Sequence, residues 1–141
     1  MKTFRIAFAT DSRFFNEILI ARLQKAGHKV VVCDYASAVL EQFDKPEDQR
    51  SELLVTSNFL PYGGVFREHL VAGGCETGIA LYHRLREEIP CLPIVIFGVD
   101  SFAFEAMEKT VDPLVLTLKD GLTSLEIALE VENFMTGIMA G

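Results

Sequence analysis

The residues of this chain best placed to do chemistry are hydroxyls and carboxylates that close apolar runs. Ser57 opens the stretch "SNFLPYGG", which carries a proline and a glycine pair and no acid. Four aspartates, Asp11, Asp34, Asp100 and Asp120, each stand at the end of another such run. Gathered carboxylates can bind a divalent cation, which takes hard oxygen ligands. Aspartate just ahead of a helix is equally a favoured cap, accepting free backbone N–H groups at the positive helix terminus, and capping is the preferred reading of these four. Thr56 and Ser57 are in principle substrates of a serine/threonine kinase, yet no recognition signal flanks them. His69, Cys75 and Glu76 have the residue types of a Cys/His nucleophilic site, but no signature accompanies them and nearness in sequence does not fix geometry.

Composition narrows the classes. A chain of 141 residues fits one domain spanning 1–141, long enough to bury roughly 68% of its unfolded surface without metal or disulfide staples. Half of it is apolar and under a quarter charged, which is the balance of a folded globular protein. A formal charge of −7 with no block of Lys or Arg argues against nucleic acid, whose phosphates need clustered cations, and against an anionic membrane surface. The opening "MKTFRIAFAT" has no small-residue cleavage site, and no stretch reaches the roughly 20 apolar residues that span a bilayer, so a cytoplasmic protein is expected. Cys33, Cys75 and Cys91 form no C-x-x-C pair and read as free thiols, with Cys33 inside "VVVCD" a small apolar core residue.

The elements that must position these groups alternate along the chain. "FRIAFAT" is a strand, followed by a helix in which Phe14, Phe15, Ile18, Leu19 and Leu23 recur at helical spacing and Gly27 supplies a stop. "HKVVVCD" and "SELLVTS" are further strands separated by the short helix "YASAVLEQFD" and the polar connector "KPEDQR". "ETGIALYHRLREEIP" puts Ile79, Leu81, Tyr82 and Leu85 on one side of a helix, "LPIVIFG" is the fourth strand, "SFAFEAMEKT" a short helix and "PLVLTLK" the fifth strand. "TSLE" at 123–126 is a capping box in which Glu126 reaches back to the start of the last helix. Near-continuous Val, Ile and Leu runs are buried on both faces, so five strands alternating with five helices predict a parallel sheet between helical layers. With right-handed crossovers the expected fold is an α/β, flavodoxin-like three-layer sandwich with a five-stranded sheet of order 2-1-3-4-5, its functional loops meeting at the C-terminal strand edge beside strands one and three.

In "LLVTSNFLP" followed by "TGIALYHRLREEIPCLPIVIFG" the chain resembles the response-regulator receiver family, and the likeness extends over nearly its whole length. The resemblance implies an acidic pair after strand one, an aspartate phosphoacceptor four residues before a proline, a Ser or Thr ending strand four and a lysine ending strand five. Here those positions hold Thr10 and Asp11, Ser57, Gly98 and Lys119, with Asp120 in place of the usual proline after the lysine; the aromatic switch position falls on Leu116. Serine cannot form the acyl phosphate, which needs a carboxylate nucleophile. With Thr10 in place of a second carboxylate, the ligands around Asp11 are too few for Mg²⁺. Gly98 has no hydroxyl to follow a phosphoryl group and Leu116 no phenol to swing. The expectation is a degenerate, pseudo-receiver-like domain that acts through protein association, without catalysis, cofactor or metal, and in which Lys119 can pair with Asp11 across an empty pocket. The alternatives are an atypical but active phosphorelay receiver using Mg²⁺, and a flavodoxin-like sensor of a small molecule or nucleotide. A flavin is disfavoured because "ATDSRFFNE" lacks glycine and sets Asp11 where a phosphate would sit.

Two features depart from the resemblance or point to partners. An insertion at about 62–76, "YGGVFREHLVAGGCE", adds about a dozen residues where the family needs only a few. Its glycine pairs bracket "VFREHLVA", whose Val65, Phe66, Leu70 and Val71 need burial, and the loop is expected over the pocket as either a recognition surface or a packed lid. In the last helix Leu125, Ala128, Leu129 and Met135 can face the sheet while Ile127, Val131, Phe134 and Ile138 make a second apolar stripe. Phe66, His69, Leu70 and that second stripe are the expected interface for a signalling partner, with a homodimer through the last helix as one form of it.

Overall fold

The computed structural model describes residues 3–12, 16–66 and 76–140. Five strands and five helices alternate: β1 (Arg5–Ala9), α1 (Glu17–Lys25), β2 (Lys29–Cys33), α2 (Ala36–Phe43), β3 (Leu53–Ser57), α3 (Thr77–Glu88), β4 (Ile94–Val99), α4 (Ser101–Glu108), β5 (Val115–Lys119) and α5 (Ser124–Ala140). The strands form one parallel sheet of order β2-β1-β3-β4-β5, the order expected from the alternation.

The period-2 geometry of a strand sends successive side chains to opposite faces, and both faces here are apolar. Ala7, Ala9, Leu54, Ile94 and Ile96 face one core with Val39 of α2, Leu81 and Leu85 of α3 and Ala103 of α4. Ile6, Phe8, Leu53, Val55, Val95 and Phe97 face the other with Leu19 and Leu23 of α1 and Ile127, Ala128 and Val131 of α5. The β1 and β3 runs are nearly wholly buried because each lies inside the sheet and under two helical layers.

Local chemistry fixes the helix ends. Gly27 takes φ +96°, and the His28 N–H closes on Leu23 O at 3.1 Å, a Schellman stop that ends α1. Asp100 accepts the Ala103 N–H at 2.8 Å and caps α4. The capping box forms as expected: Thr123 N–H donates to Glu126 Oε1 (3.0 Å) and Glu126 N–H to Thr123 Oγ1 (3.2 Å). At the opposite end of the sheet Arg86 of α3 bonds Asp112 Oδ2 (2.8 Å) and the Leu92 carbonyl (2.6 Å), while the Tyr82 hydroxyl donates to the same Asp112 oxygen (2.6 Å). This clamp ties α3 to the strand-five entry.

Several side-chain expectations change. Ile18 is exposed, and Ile20 takes the core position beside Leu19 and Leu23; Phe14 and Phe15 lie outside the described residues. In α5 the expectation holds in part: Ala128 and Met135 are buried and Phe134 and Ile138 stay partly exposed, but Ile127 and Val131 are buried as well, whereas Leu125 and Leu129 are about half exposed. On the α1 side Arg22 meets Glu132 through two N–H···O contacts. Cys33 is buried, as read from its run, and burial pushes its thiol up to about 11.

Candidate functional site

The C-terminal ends of β1, β3, β4 and β5 open onto a cleft of about 200 Å³. Thr10, Asp11, Ser57, Gly98 and Lys119 all line it, together with Asn16, Asp120 and Gly121. The sequence therefore brings its five aligned positions to one place. Leu116, three residues before the lysine, lies outside the cleft and packs partly buried against the α1–α5 core.

The hydroxyls of the cleft are occupied within the chain. Thr10 is buried, and its Oγ1 accepts the Ser12 N–H (3.0 Å) and an N–H of the Asn16 amide (2.9 Å). Asn16 donates again to the Ser12 carbonyl at 3.0 Å, so its amide closes the β1–α1 turn. Asn16 Oδ1 is buried without a hydrogen-bond partner. Ser57 Oγ accepts the Phe59 N–H at 3.2 Å, the local serine-to-backbone bond common at strand ends.

Gly98 has φ +72°, and the β4–β5 register shifts between Ile96 and Val99 around it. A Cβ there would stand 3.9 Å from Ser57 Oγ, so space is not what excludes a side chain; the left-handed backbone is. Gly121 likewise takes φ +88°, two residues after Lys119. Lys119 makes no ion pair with Asp11 among the described residues. Its ammonium lies 5.3 Å from the ring centroid of Phe104, a cation–π contact that draws it toward α4.

The aligned positions offer a cation such as Mg²⁺ a single carboxylate, Asp11, with Asp120 a second carboxylate on the cleft wall. Such an ion needs near-octahedral oxygen ligands, usually with one or two carboxylates and several waters. Thr10 and Ser57 present hydroxyls already engaged with backbone or amide N–H groups, which leaves Asp11 as the one carboxylate among the aligned positions. No group of three His, Cys, Asp or Glu side chains able to hold a metal occurs among the described residues. Of the four aspartates read as helix caps, Asp100 alone acts as one: α1 and α2 begin at Asn16 and Tyr35 without a side-chain cap bond, and Thr123 caps α5, so Asp11, Asp34 and Asp120 are corrected.

Of the insertion, residues 62–66 and 76 are described. Its described flanks, Tyr62 to Phe66 and Glu76, line no part of the cleft. Gly63 instead sits against Tyr35 and Ser37 at the start of α2, and Val65 and Phe66 pack on the core beneath α2 and α3. Phe66 borders a groove with Ile79, Ala80 and His83 of α3. His69, Leu70, Val71 and Cys75 lie outside the described residues. Of the expected interface in α5, Ile127 and Val131 are core residues and cannot meet a partner, while Phe134 and Ile138 stay partly exposed beside Pro113 and Leu114.

Sequence reasoning missed three residues that shape the site. Asn16 carries no motif; only its place five residues beyond Asp11, at the start of α1, hinted at a turn-closing amide. Asn58 Oδ1 accepts the Ile79 N–H at 3.0 Å and serves the first turn of α3, while its Nδ2 is buried with no partner. Gly78 lies against β3 so closely that a Cβ would come within 2.7 Å of Ser57 O.

No protein-family model matches the chain, and no curated protein matches it. Its backbone is similar to solved structures of response regulators. The chemotaxis response regulator CheY4 of Vibrio cholerae superposes with TM-score 0.67 at 14% identity, covering 94% of this chain and 99% of that one. The non-phosphorylated HemR receiver domain of Leptospira biflexa gives 0.63 at 17%, covering 92% of each. NtrX of Brucella abortus gives 0.66 at 15% over 96% of this chain, which spans 27% of the NtrX chain. The flavodoxin-like fold of receiver domains is thereby shown. No helix of the described residues is long and apolar enough to cross a membrane.

Proposed function

We propose that this chain is a receiver-fold signalling domain that works by protein association and is not phosphorylated on aspartate. The observation that carries the reading is Ser57 at the end of β3, its hydroxyl bonded to the Phe59 N–H where an acyl phosphate would need a carboxylate. The engaged Thr10 hydroxyl and the left-handed Gly98 support it, because each removes a second part of phosphoryl chemistry. The test is incubation with a small phosphodonor and Mg²⁺ followed by intact-mass detection, with beryllofluoride binding as the parallel readout. No adduct and no Mg²⁺-dependent beryllofluoride complex are expected; a hydroxylamine-labile phosphoryl adduct overturns the proposal in favour of an atypical active receiver.

The surface that supports self-association best is the C-terminal half of α5. Phe134 and Ile138 line an apolar hollow of about 340 Å³ with Pro113, Leu114, Asn133 and Gly137. Partly exposed apolar side chains around a concavity are the usual anchor of an interface.

A further inference from the structure

The parallel topology sets every strand's C-terminal end on one edge, and that edge carries an unusual pair of features. Three large aromatic or apolar rings leave it for solvent: Tyr35 after β2 is 47% exposed, Phe59 after β3 is 56%, and Phe102 at the start of α4 is 85%. Interleaved with them are Asp34 after β2, Asp11 after β1 and Asp120 after β5, all exposed and none in an ion pair among the described residues. Across the sheet order the edge therefore reads Asp34 and Tyr35, then Asp11, Phe59, Phe102 and Asp120. The described cation at this edge is Lys119, and it is turned onto Phe104.

Exposed rings beside carboxylates that make no ion pair among the described residues are complementary to one chemistry: cationic side chains borne on an apolar segment. Carboxylates supply the charge that a Lys or Arg head needs, ring faces supply cation–π and apolar contact, and the stem of a long basic side chain covers hydrocarbon. Neighbouring strands are about 4.8 Å apart, so five of them set an edge of roughly 19 Å. At about 1.5 Å per residue this accommodates roughly 13 residues of helix. We infer that the C-terminal strand edge is the docking face for a basic amphipathic segment of a partner protein. This rests on the reading of the chain as an association domain, and it uses a surface separate from the α5 hollow.

The experiment is an amide chemical-shift titration of the full chain with a capped helical peptide built of leucine and lysine, alongside the same peptide with glutamate for lysine. Amides around Asp11, Asp34, Phe59, Phe102 and Asp120 are expected to shift with the lysine peptide and not with the glutamate peptide. The double variant Phe59→Ala, Phe102→Ala should weaken binding about ten-fold or more. The pair Asp34→Asn, Asp120→Asn should weaken it about five-fold and flatten its salt dependence. All four positions are exposed, so thermal melts should confirm that the variants fold. Equal response to the glutamate peptide, shifts spread over the whole acidic surface, or no shifts at this edge overturn the inference. Shifts of the same amides on concentrating the protein without peptide would assign the edge to a second copy and overturn it as well. Phosphodonor labelling distinguishes the two failures, since an adduct sinks the non-phosphorylated reading whatever the peptide does.

Discussion

At the scale of single residues, Thr10 and Ser57 bond within the chain, while Asn16 Oδ1 beside them is buried without a partner. Ser57→Asp alone is therefore expected not to create a phosphorylation site, because Thr10 remains tied to Asn16 and Ser12 and Gly98 still lacks a hydroxyl. The new carboxylate would be largely buried beside the Asp11 and Asp120 positions that line the same cleft, and it should lower stability by about 1–3 kcal/mol. Intact-mass analysis after phosphodonor treatment and urea unfolding check both halves; Mg²⁺-dependent labelling of this variant would mean that Thr10 and Gly98 are no obstacle. Away from the cleft, His28 is a pH-sensitive residue. Its Nδ1 accepts the buried Phe4 N–H at 3.0 Å, so the ring is neutral there, and burial lowers its pKa from the ordinary 6.5. A lowered folded pKa means that the unfolded chain takes the proton first as pH falls. The His28 contribution is thus complete above the unfolded value and is lost as pH drops from about 6.5 through the folded pKa. Melting temperatures of the wild type and His28→Gln, compared between about pH 7.5 and pH 5.5, should show the wild type losing more. Parallel curves would remove His28 from the account.

At the scale of elements, the first turn of α3 meets the end of β3 backbone to backbone. A Cβ on Gly78 would meet Ser57 O at 2.7 Å and Asn58 Cα at 2.8 Å, neither of which can swing aside. Gly78→Ala is expected to push α3 off the sheet and to destabilise by about 1–3 kcal/mol despite alanine's better helix propensity. The urea midpoint should fall with an unchanged slope, and a neutral or stabilised variant would show that the helix tolerates the shift. Strands were legible because "FRIAFAT", "LLVTS" and "LPIVIFG" are apolar on both faces, a pattern only a covered parallel sheet satisfies. The cleft positions followed, since strand ends in that topology converge. The phase of α5 was legible in part: Ala128 and Met135 are buried as read, but Leu125 and Leu129 are as apolar as Ile127 and Val131, and the sheet takes the latter pair. Gly98 was read as a missing hydroxyl, whereas the structure gives it a positive φ at a register shift, which no residue spacing encodes. The described start of the insertion follows apolar contacts, Val65 and Phe66 onto the α2–α3 core.

At the scale of the whole molecule, charge separates the two modes of association. The chain carries −7, so two copies repel, and any self-association through Phe134 and Ile138 works against that repulsion. Salt screens charges beyond about 10 Å at 0.1 M, so the self-contact should tighten as salt is raised. Docking of a basic segment on the strand edge should respond in the opposite sense, because there the long-range field attracts. Sedimentation equilibrium at low and moderate salt reads the first directly. We expect a reversible dimer whose association strengthens with salt by about two- to ten-fold, and a monomer at every salt concentration for Phe134→Ser, Ile138→Ser with an unchanged fold by circular dichroism. Substituting Leu129, which is exposed on another side of α5, should leave the dimer in place. A wild type that stays monomeric throughout, or a dimer indifferent to Phe134 and Ile138, would remove α5 from the interface. A dimer that loosened with salt would point instead to a contact between opposite charges, which an apolar hollow beneath a helix does not provide.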